Sequence, residues 1–147
     1  MTYNSTFKIS GEFNIFLINS NHQVEKFYHF ENMITDLGRG VVLTSLQGSS
    51  DENPIYSVKL GTSSTAETVY DTDLGSVLAQ RQFDNSILGV SSIVFYTTFN
   101  YNEGNGTIRE VGIFTKDGTM FARKVPSEQP TKSSTQIMAV QYRLSVV

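Results

Sequence analysis

Asn105-Gly106-Thr107-Ile108-Arg109-Glu110-Val111-Gly112-Ile113-Phe114, followed shortly by Asp117-Gly118-Thr119-Met120-Phe121-Ala122-Arg123, is the stretch that decides the fold of this chain. It predicts two strands joined by a tight turn. Asp-Gly between apolar-rich runs is a strong hairpin signal, because a two-residue type I′ turn needs φ > 0 at both central positions, which Asp and Gly tolerate best. Asn105-Gly106 repeats the signal one strand earlier. The expectation is a meander of three strands: Ser92 to Tyr101, Thr107 to Thr115 and Thr119 to Val125.

The same alternation of apolar and polar residues extends outward in both directions. Towards the C-terminus, Thr135 to Val147 places Met138, Val140, Tyr142, Leu144 and Val146 on one face, with Gln141, Arg143 and Ser145 on the other. A one-residue slip would expose that whole apolar row, so its register is fixed. Ser92 to Tyr101 is apolar on both faces, which predicts a central strand. Near the N-terminus, Phe7-Lys8-Ile9, then Glu12 to Ile18, a turn at Asn19-Ser20-Asn21 and Gln23 to Phe30 predict a first hairpin, with a bulge at Gly11. Ile55 to Leu60 and Ser76 to Phe83 are two further strands. One segment changes period. Met33, Leu37, Val41 and Leu43 or Leu46 recur at helical steps, with Asn32 or Thr35 as caps and Gly48 beyond, so a helix is expected over 33–47. Gly38 and Gly40 each weaken it by about 1 kcal/mol, so it needs its apolar stripe packed on the sheet.

Two segments have neither period: the polar loop Gly48 to Pro54, and Gly61-Thr62-Ser63-Ser64-Thr65-Ala66-Glu67-Thr68-Val69-Tyr70-Asp71-Thr72-Asp73. The second is expected to be a surface loop, because loops this long are uncommon in compact domains and often contact partners. The reading is a mainly β chain: an antiparallel β-sandwich of about eight strands with one α-helix, forming a single domain over residues 1–147.

Composition narrows the function. The chain has 147 residues, no cysteine, no Trp, three Pro and two His, and a net charge of −3. Disulfide and thiolate-metal frameworks are thereby absent. The mild acidity gives no general attraction for nucleic acid or anionic membrane. No apolar run approaches the ~20 residues of a membrane span, and the polar start Met1 to Thr6 does not read as a signal peptide. No cofactor, nucleic-acid partner or membrane partner is expected.

The candidate chemistries fall short of their structural alternatives. Glu103 and Glu110 form a carboxylate pair only if something fixes their separation, and Glu103 lies in a turn-rich run. His22 and His29 have no Ser or Asp tied to them by motif. Glu67, Asp71 and Asp73 cluster in the long loop but lack the spacing of a calcium loop. Gly61-Thr62-Ser63-Ser64 is not followed by the Lys of a phosphate-binding loop. Phe95, Phe99 and Tyr101 alternate on one face without interleaved Lys or Arg, which favours core packing over base stacking. The most informative charged residue is Glu110, which shares a face with Ile108, Gly112 and Phe114. A buried carboxylate needs a cation or several donors. Arg81 or Arg123 is the expected partner, in a structural ion pair with no catalytic role.

The ordered pieces Phe30-Glu31-Asn32-Met33-Ile34-Thr35-Asp36-Leu37-Gly38, Leu60-Gly61-Thr62-Ser63-Ser64-Thr65, Asp71-Thr72-Asp73-Leu74, Leu78-Ala79-Gln80-Arg81, Gly106 to Phe114 and Phe121-Ala122-Arg123 resemble a family of small virion structural proteins of tailed bacteriophages. These are tail, baseplate, collar or fibre-associated proteins, and the resemblance spans roughly residues 30–147. The chain departs from the pattern at Ser63-Ser64 and at Gln80. The resemblance implies a non-enzymatic virion protein of the neck, tail or baseplate, made in the host bacterial cytoplasm and assembled as a symmetric homo-oligomer with other virion proteins. The alternatives are a capsid-decorating or fibre protein and a carbohydrate-binding module that recognises a host-surface glycan. In the leading reading the loop carrying Gly61, Thr62, Ser63, Ser64, Thr65, Asp71 and Asp73 is mobile in the free subunit and becomes fixed at an interface.

Overall fold

The structure, a computed structural model, describes residues 8–48 and 52–146. The expected strand start at Phe7, the segment Met1 to Thr6, positions 49–51 of the polar loop and Val147 lie outside the described residues. The fold is mainly β, with two five-stranded antiparallel sheets and one helix.

The first sheet contains β1 (Ile9–Asn19), β2 (Val24–Glu31), β6 (Asn85–Leu88), β7 (Ser92–Phe99) and β12 (Gln136–Val146), in the order β2-β1-β12-β7-β6. The second contains β3 (Met33–Ile34), β4 (Ile55–Gly61), β5 (Val77–Gln82), β9 (Glu110–Thr115) and β10 (Met120–Lys124), in the order β3-β10-β9-β4-β5. A small ribbon pairs β8 (Gly106–Thr107) with β11 (Thr131–Lys132). Alternation in β1 and β12 sets the core: Phe13, Ile15 and Leu17 pair with Tyr142, Val140 and Met138 in one register, and all six are buried. They form one cluster with Val58 and Leu60 of β4 and with Val111 and Ile113 of β9. Burying each such side chain stabilises the fold by about 1.5–3 kcal/mol, so this alternation decides which faces meet.

Four short strands, β3, β6, β8 and β11, lie beyond the eight that alternation predicts. The expected three-strand meander is not formed. β7 pairs with β12 and β6, whereas β9 pairs with β4 and β10, so Asn105-Gly106 carries the chain from one sheet to the other. Gly106 does need a positive φ, at +126°, but the turn is a crossing and not a hairpin. The Asp117-Gly118 hairpin is present with a different turn. Gly118 has φ +89°, and His22 is the only non-glycine residue with positive φ among the described residues, so Asp117 is not left-handed. Gly118 N–H donates to the Thr115 carbonyl at 3.0 Å, and Thr115 N–H donates to the Thr119 carbonyl at 2.9 Å, which closes a three-residue loop. Asp117 acts through its side chain. Its Oδ1 accepts the Thr119 hydroxyl at 2.7 Å, the Thr115 hydroxyl at 2.8 Å and Thr119 N–H at 3.0 Å. Those donors hold its carboxyl down at about 2.

The first hairpin forms as expected, but its bulge lies opposite Leu17 and Ile18, and Gly11 stays in register with Leu144. The helix α1 (Asp36–Gln47) begins later than the periodicity predicts, because Met33 and Ile34 join β10 as a strand. Thr35 caps it by accepting Gly38 N–H at 3.0 Å while donating to the Met120 carbonyl at 2.7 Å. The expected apolar stripe packs only in part: Val41 reaches the core, joined by Val42 from outside the stripe, while Leu37, Leu43 and Leu46 are exposed. Docking through the cap to a strand backbone supplements this narrow contact.

Candidate functional site

Two surfaces outside the inter-sheet core could carry function: the long loop after β4, and the free end of the first sheet. The loop covers the outer face of the second sheet. β9 alternates, and while Val111 and Ile113 enter the inter-sheet core, Glu110, Gly112 and Phe114 point the other way. There Leu74 from the loop packs with Phe114 and Met120, and Lys59 Nζ sits 4.0 Å from the Phe114 ring centroid.

Glu110 is fully buried beneath this loop. Its Oε1 accepts Gly75 N–H at 2.8 Å and Arg123 Nε–H at 3.2 Å, with Arg123 Nη2 beside it at 3.1 Å as an ion-pair contact. Oε2 accepts Ser63 N–H at 2.8 Å and Ser76 N–H at 3.0 Å. Four hydrogen-bond donors and the guanidinium charge therefore replace the water that a carboxylate loses on burial. Gly61 is required for this approach, because a Cβ there would lie 2.5 Å from Glu110 Cγ and 2.6 Å from the Ser76 carbonyl oxygen. Arg123, 3% exposed, also donates to Asp71 at 3.0 Å and to the Thr65 carbonyl at 2.8 Å. Glu67 completes the closure with Lys124 Nζ at 3.1 Å and Val125 N–H at 3.2 Å.

Burial alone would raise the carboxyl pKa of Asp71, but Thr68 N–H, the Arg123 guanidinium and the Thr68 hydroxyl together hold it below the usual range. Glu67 is held low in the same way, with burial outweighed by backbone N–H groups and Lys124. The loop residues Gly61, Thr62, Ser63, Ser64, Thr65, Asp71 and Asp73 thus belong to a segment folded back on its own sheet and helix, with Asp36 N–H donating to the Val69 carbonyl at 2.8 Å. The expectation of a loop mobile in the free subunit and fixed at an interface did not include these internal bonds. Composition showed polarity, but not that Glu110 and Arg123 supply partners for that polarity.

Arg81 is not part of the Glu110 pair. It belongs to a separate group on β5, bonded to Glu103 at 3.0 Å, to the Thr97 hydroxyl at 3.2 Å and to Asp84 at 3.4 Å. The reason is the pleat. Arg81 pairs with Val58 across the β4–β5 ladder and lies near β7, while Arg123 of β10 pairs with Gly112 beside Glu110. Glu103 and Glu110 each hold a different arginine. His29 contacts Asn14 at 2.7 Å, an exposed polar pair.

A further buried cation escaped the sequence reading. Lys132, 2% exposed, donates to the Asn100 carbonyl at 2.7 Å and to Asn105 Oδ1 at 2.8 Å, which ties down the crossing between sheets. Its hydrogen-bond acceptors are neutral oxygens, and burial pushes its pKa below the ordinary lysine value against the opposing pull of the Glu103 carboxylate. A lone Lys in Pro130-Thr131-Lys132-Ser133 gives no sign of this.

The second surface is the free end of the first sheet. β6 is exposed at every residue, and the turn after it continues the exposure. Ile87 is 55% exposed, Leu88 77% and Val90 108%. Near the start of β1, a groove of ≈ 410 Å³ is lined by Ile9, Ile34, Val42, Leu43 and Leu46. Residues 85–88 were not predicted as a strand, because Asn-Ser-Ile-Leu has no alternation to read. Comparison of the chain with models of protein families, with curated proteins and with solved structures finds no match.

Proposed function

We propose that the protein is a non-enzymatic structural module of a tailed-phage particle, placed at the neck, tail or baseplate and working as a symmetric homo-oligomer that joins other virion proteins. The observation that carries this reading is how the side chains divide. The carboxylates and cations that a catalytic site would need are committed to internal pairs, Glu110 and Asp71 with Arg123, Glu67 with Lys124 and Glu103 with Arg81. Among the exposed apolar residues, Ile87, Leu88 and Val90 lie on or beside a sheet edge, where self-association can cover them. The resemblance of residues 30–147 to small virion proteins supplies the particle. In this reading the long loop is a preformed part of the subunit and not a segment that folds on contact.

Mass spectrometry of purified particles tests the placement. The protein should be present in a fixed copy number with a symmetric multiple, and its absence from particles made by a host expressing it would remove the virion reading. Closed symmetry is the usual outcome for homo-oligomers, so native mass spectrometry of the free protein should show a single closed oligomer.

A further inference from the structure

The two five-stranded sheets have four edges, and among the described residues one of them, β6, carries neither charge nor proline to keep it from pairing. β2 carries Glu25, Lys26 and Glu31. β5 carries Arg81 with its ion pairs. β3 is two residues long and is followed directly by the helix cap. β6 reads Asn85-Ser86-Ile87-Leu88, with no charge, no proline and an unbroken register against β7.

The hydrogen-bonding parity of this edge follows from the turn. Gly89 N–H donates to the Ser92 carbonyl at 2.7 Å, so Gly89–Ser92, Ile87–Val94 and Asn85–Tyr96 are the hydrogen-bonded pairs of the ladder. The N–H and C=O groups of Ser86 and Leu88 therefore point away from β7, towards the outside of the sheet. Successive side chains alternate across the sheet, so Ile87 and Leu88 expose apolar surface on opposite faces of the same edge.

We propose that β6 pairs antiparallel with β6 of a second copy, across a two-fold axis at Ile87, joining the two first sheets into one. This rests on the homo-oligomer part of the reading above. In that register Ser86 exchanges hydrogen bonds with Leu88 of the second copy, and Leu88 with Ser86 of the second copy. Ile87 faces Ile87 of the second copy as a non-hydrogen-bonded pair, the closer of the two pair types. Charge argues for a copy of this chain as the occupant. The two-fold at Ile87 sets Ile87 on its own image and Ser86 on Leu88, so no like charges meet across the joint, and β6 alone among the longer edges carries no charge. Apolar Ile87 and Leu88 cover both faces of the joint.

The chain has no cysteine, so a single introduced thiol reports on this contact without background. Ile87→Cys should form a disulfide-linked dimer under mild oxidation at micromolar concentration, while Leu78→Cys on the exposed edge β5 should stay monomeric. Ser86→Pro removes only an N–H that faces away from the β7 ladder, so the subunit should keep its circular dichroism and melting temperature while its native mass falls to that of smaller species. Ile87→Lys, which sets like charges opposite one another, should do the same. An oligomer that persists in Ser86→Pro and gives no Ile87→Cys cross-link overturns the edge pairing and leaves the symmetric-oligomer reading standing. Cross-linking of the Leu78→Cys control at the same rate also overturns it. A wild-type protein that is monomeric at every concentration overturns both.

Discussion

The loop from Thr62 to Ser76 and the strand β6 both lie at the surface with one side outside any ladder, yet their backbone groups end differently. The loop amides at Ser63, Gly75 and Ser76 are met by one buried carboxylate, and its Thr65 carbonyl by a buried guanidinium. The outward amides of β6 meet no partner among the described residues. A polar, irregular segment is thus internally complete, while a short regular strand is not. Readiness to bind follows from which donors and acceptors remain unmatched, because an unmatched group gains a partner on association and a matched one must first lose its own.

The comparison breaks most severely if the clamp is removed. Glu110→Ala leaves the buried Arg123 with only the Asp71 carboxylate and three loop amides without an acceptor, and should cost about 3–5 kcal/mol in denaturant unfolding. Glu110→Gln keeps the shape and one acceptor oxygen and should cost less than Glu110→Ala. A wild-type midpoint for Glu110→Ala would show that the clamp holds nothing. Gly61→Ala is the next test. Its Cβ would press on Glu110 and on the Ser76 carbonyl, and overpacking of this kind costs about 1–3 kcal/mol. Thermal melts compared with Gly40→Ala, where a Cβ meets no atom within 4 Å, separate that pressure from a general glycine effect.

Acid should loosen the loop in a definite direction. The folded pKa values of Asp71 and Glu67 lie below their ordinary values, so the folded state holds these protons less tightly than the unfolded chain. Their stabilisation is complete above the ordinary carboxylate range near ~4 and is lost as pH falls through the folded values. Limited proteolysis at Thr65 to Tyr70 should accelerate below that range, and cleavage rates equal at pH 3 and pH 7 under an acid-tolerant protease would contradict the closure.

How much of this was legible in the sequence depends on the residue. Phe13, Ile15, Met138, Val140 and Tyr142 alternate over long strands, and alternation reads directly as burial. The Asp-Gly turn was readable as a hairpin, though its three-residue geometry came from Asp117 accepting from Thr115 and Thr119, a local bond that dipeptide preference does not contain. The crossing at Asn105-Gly106 was not readable, since a positive φ serves a crossover as well as a hairpin. Glu110 announced itself as a charge within an apolar row, but the choice of Arg123 over Arg81 depends on which strands neighbour β9. β6 is invisible to patterning because four exposed residues at an edge need no alternation.

Smaller changes sharpen the contrast. Arg81→Ala breaks a partly exposed group and should cost about 1 kcal/mol or less in unfolding, well below any change at Glu110. Ile87→Ser removes an apolar side chain already half in solvent and should leave subunit stability within about 0.5 kcal/mol of wild type while weakening association. A loss of several kcal/mol at Ile87 would mean that β6 is held by contacts within the subunit.

Hydrogen exchange resolved at single amides, measured on dilute monomer and on the assembled protein, tests the central claim most directly. Ser63, Gly75 and Ser76 should be protected in both states, because Glu110 already holds them, whereas Ser86 and Leu88 should exchange freely in the monomer and slow on assembly. Protection that appears at the loop amides only on assembly, with Ser86 and Leu88 unchanged, would contradict the account.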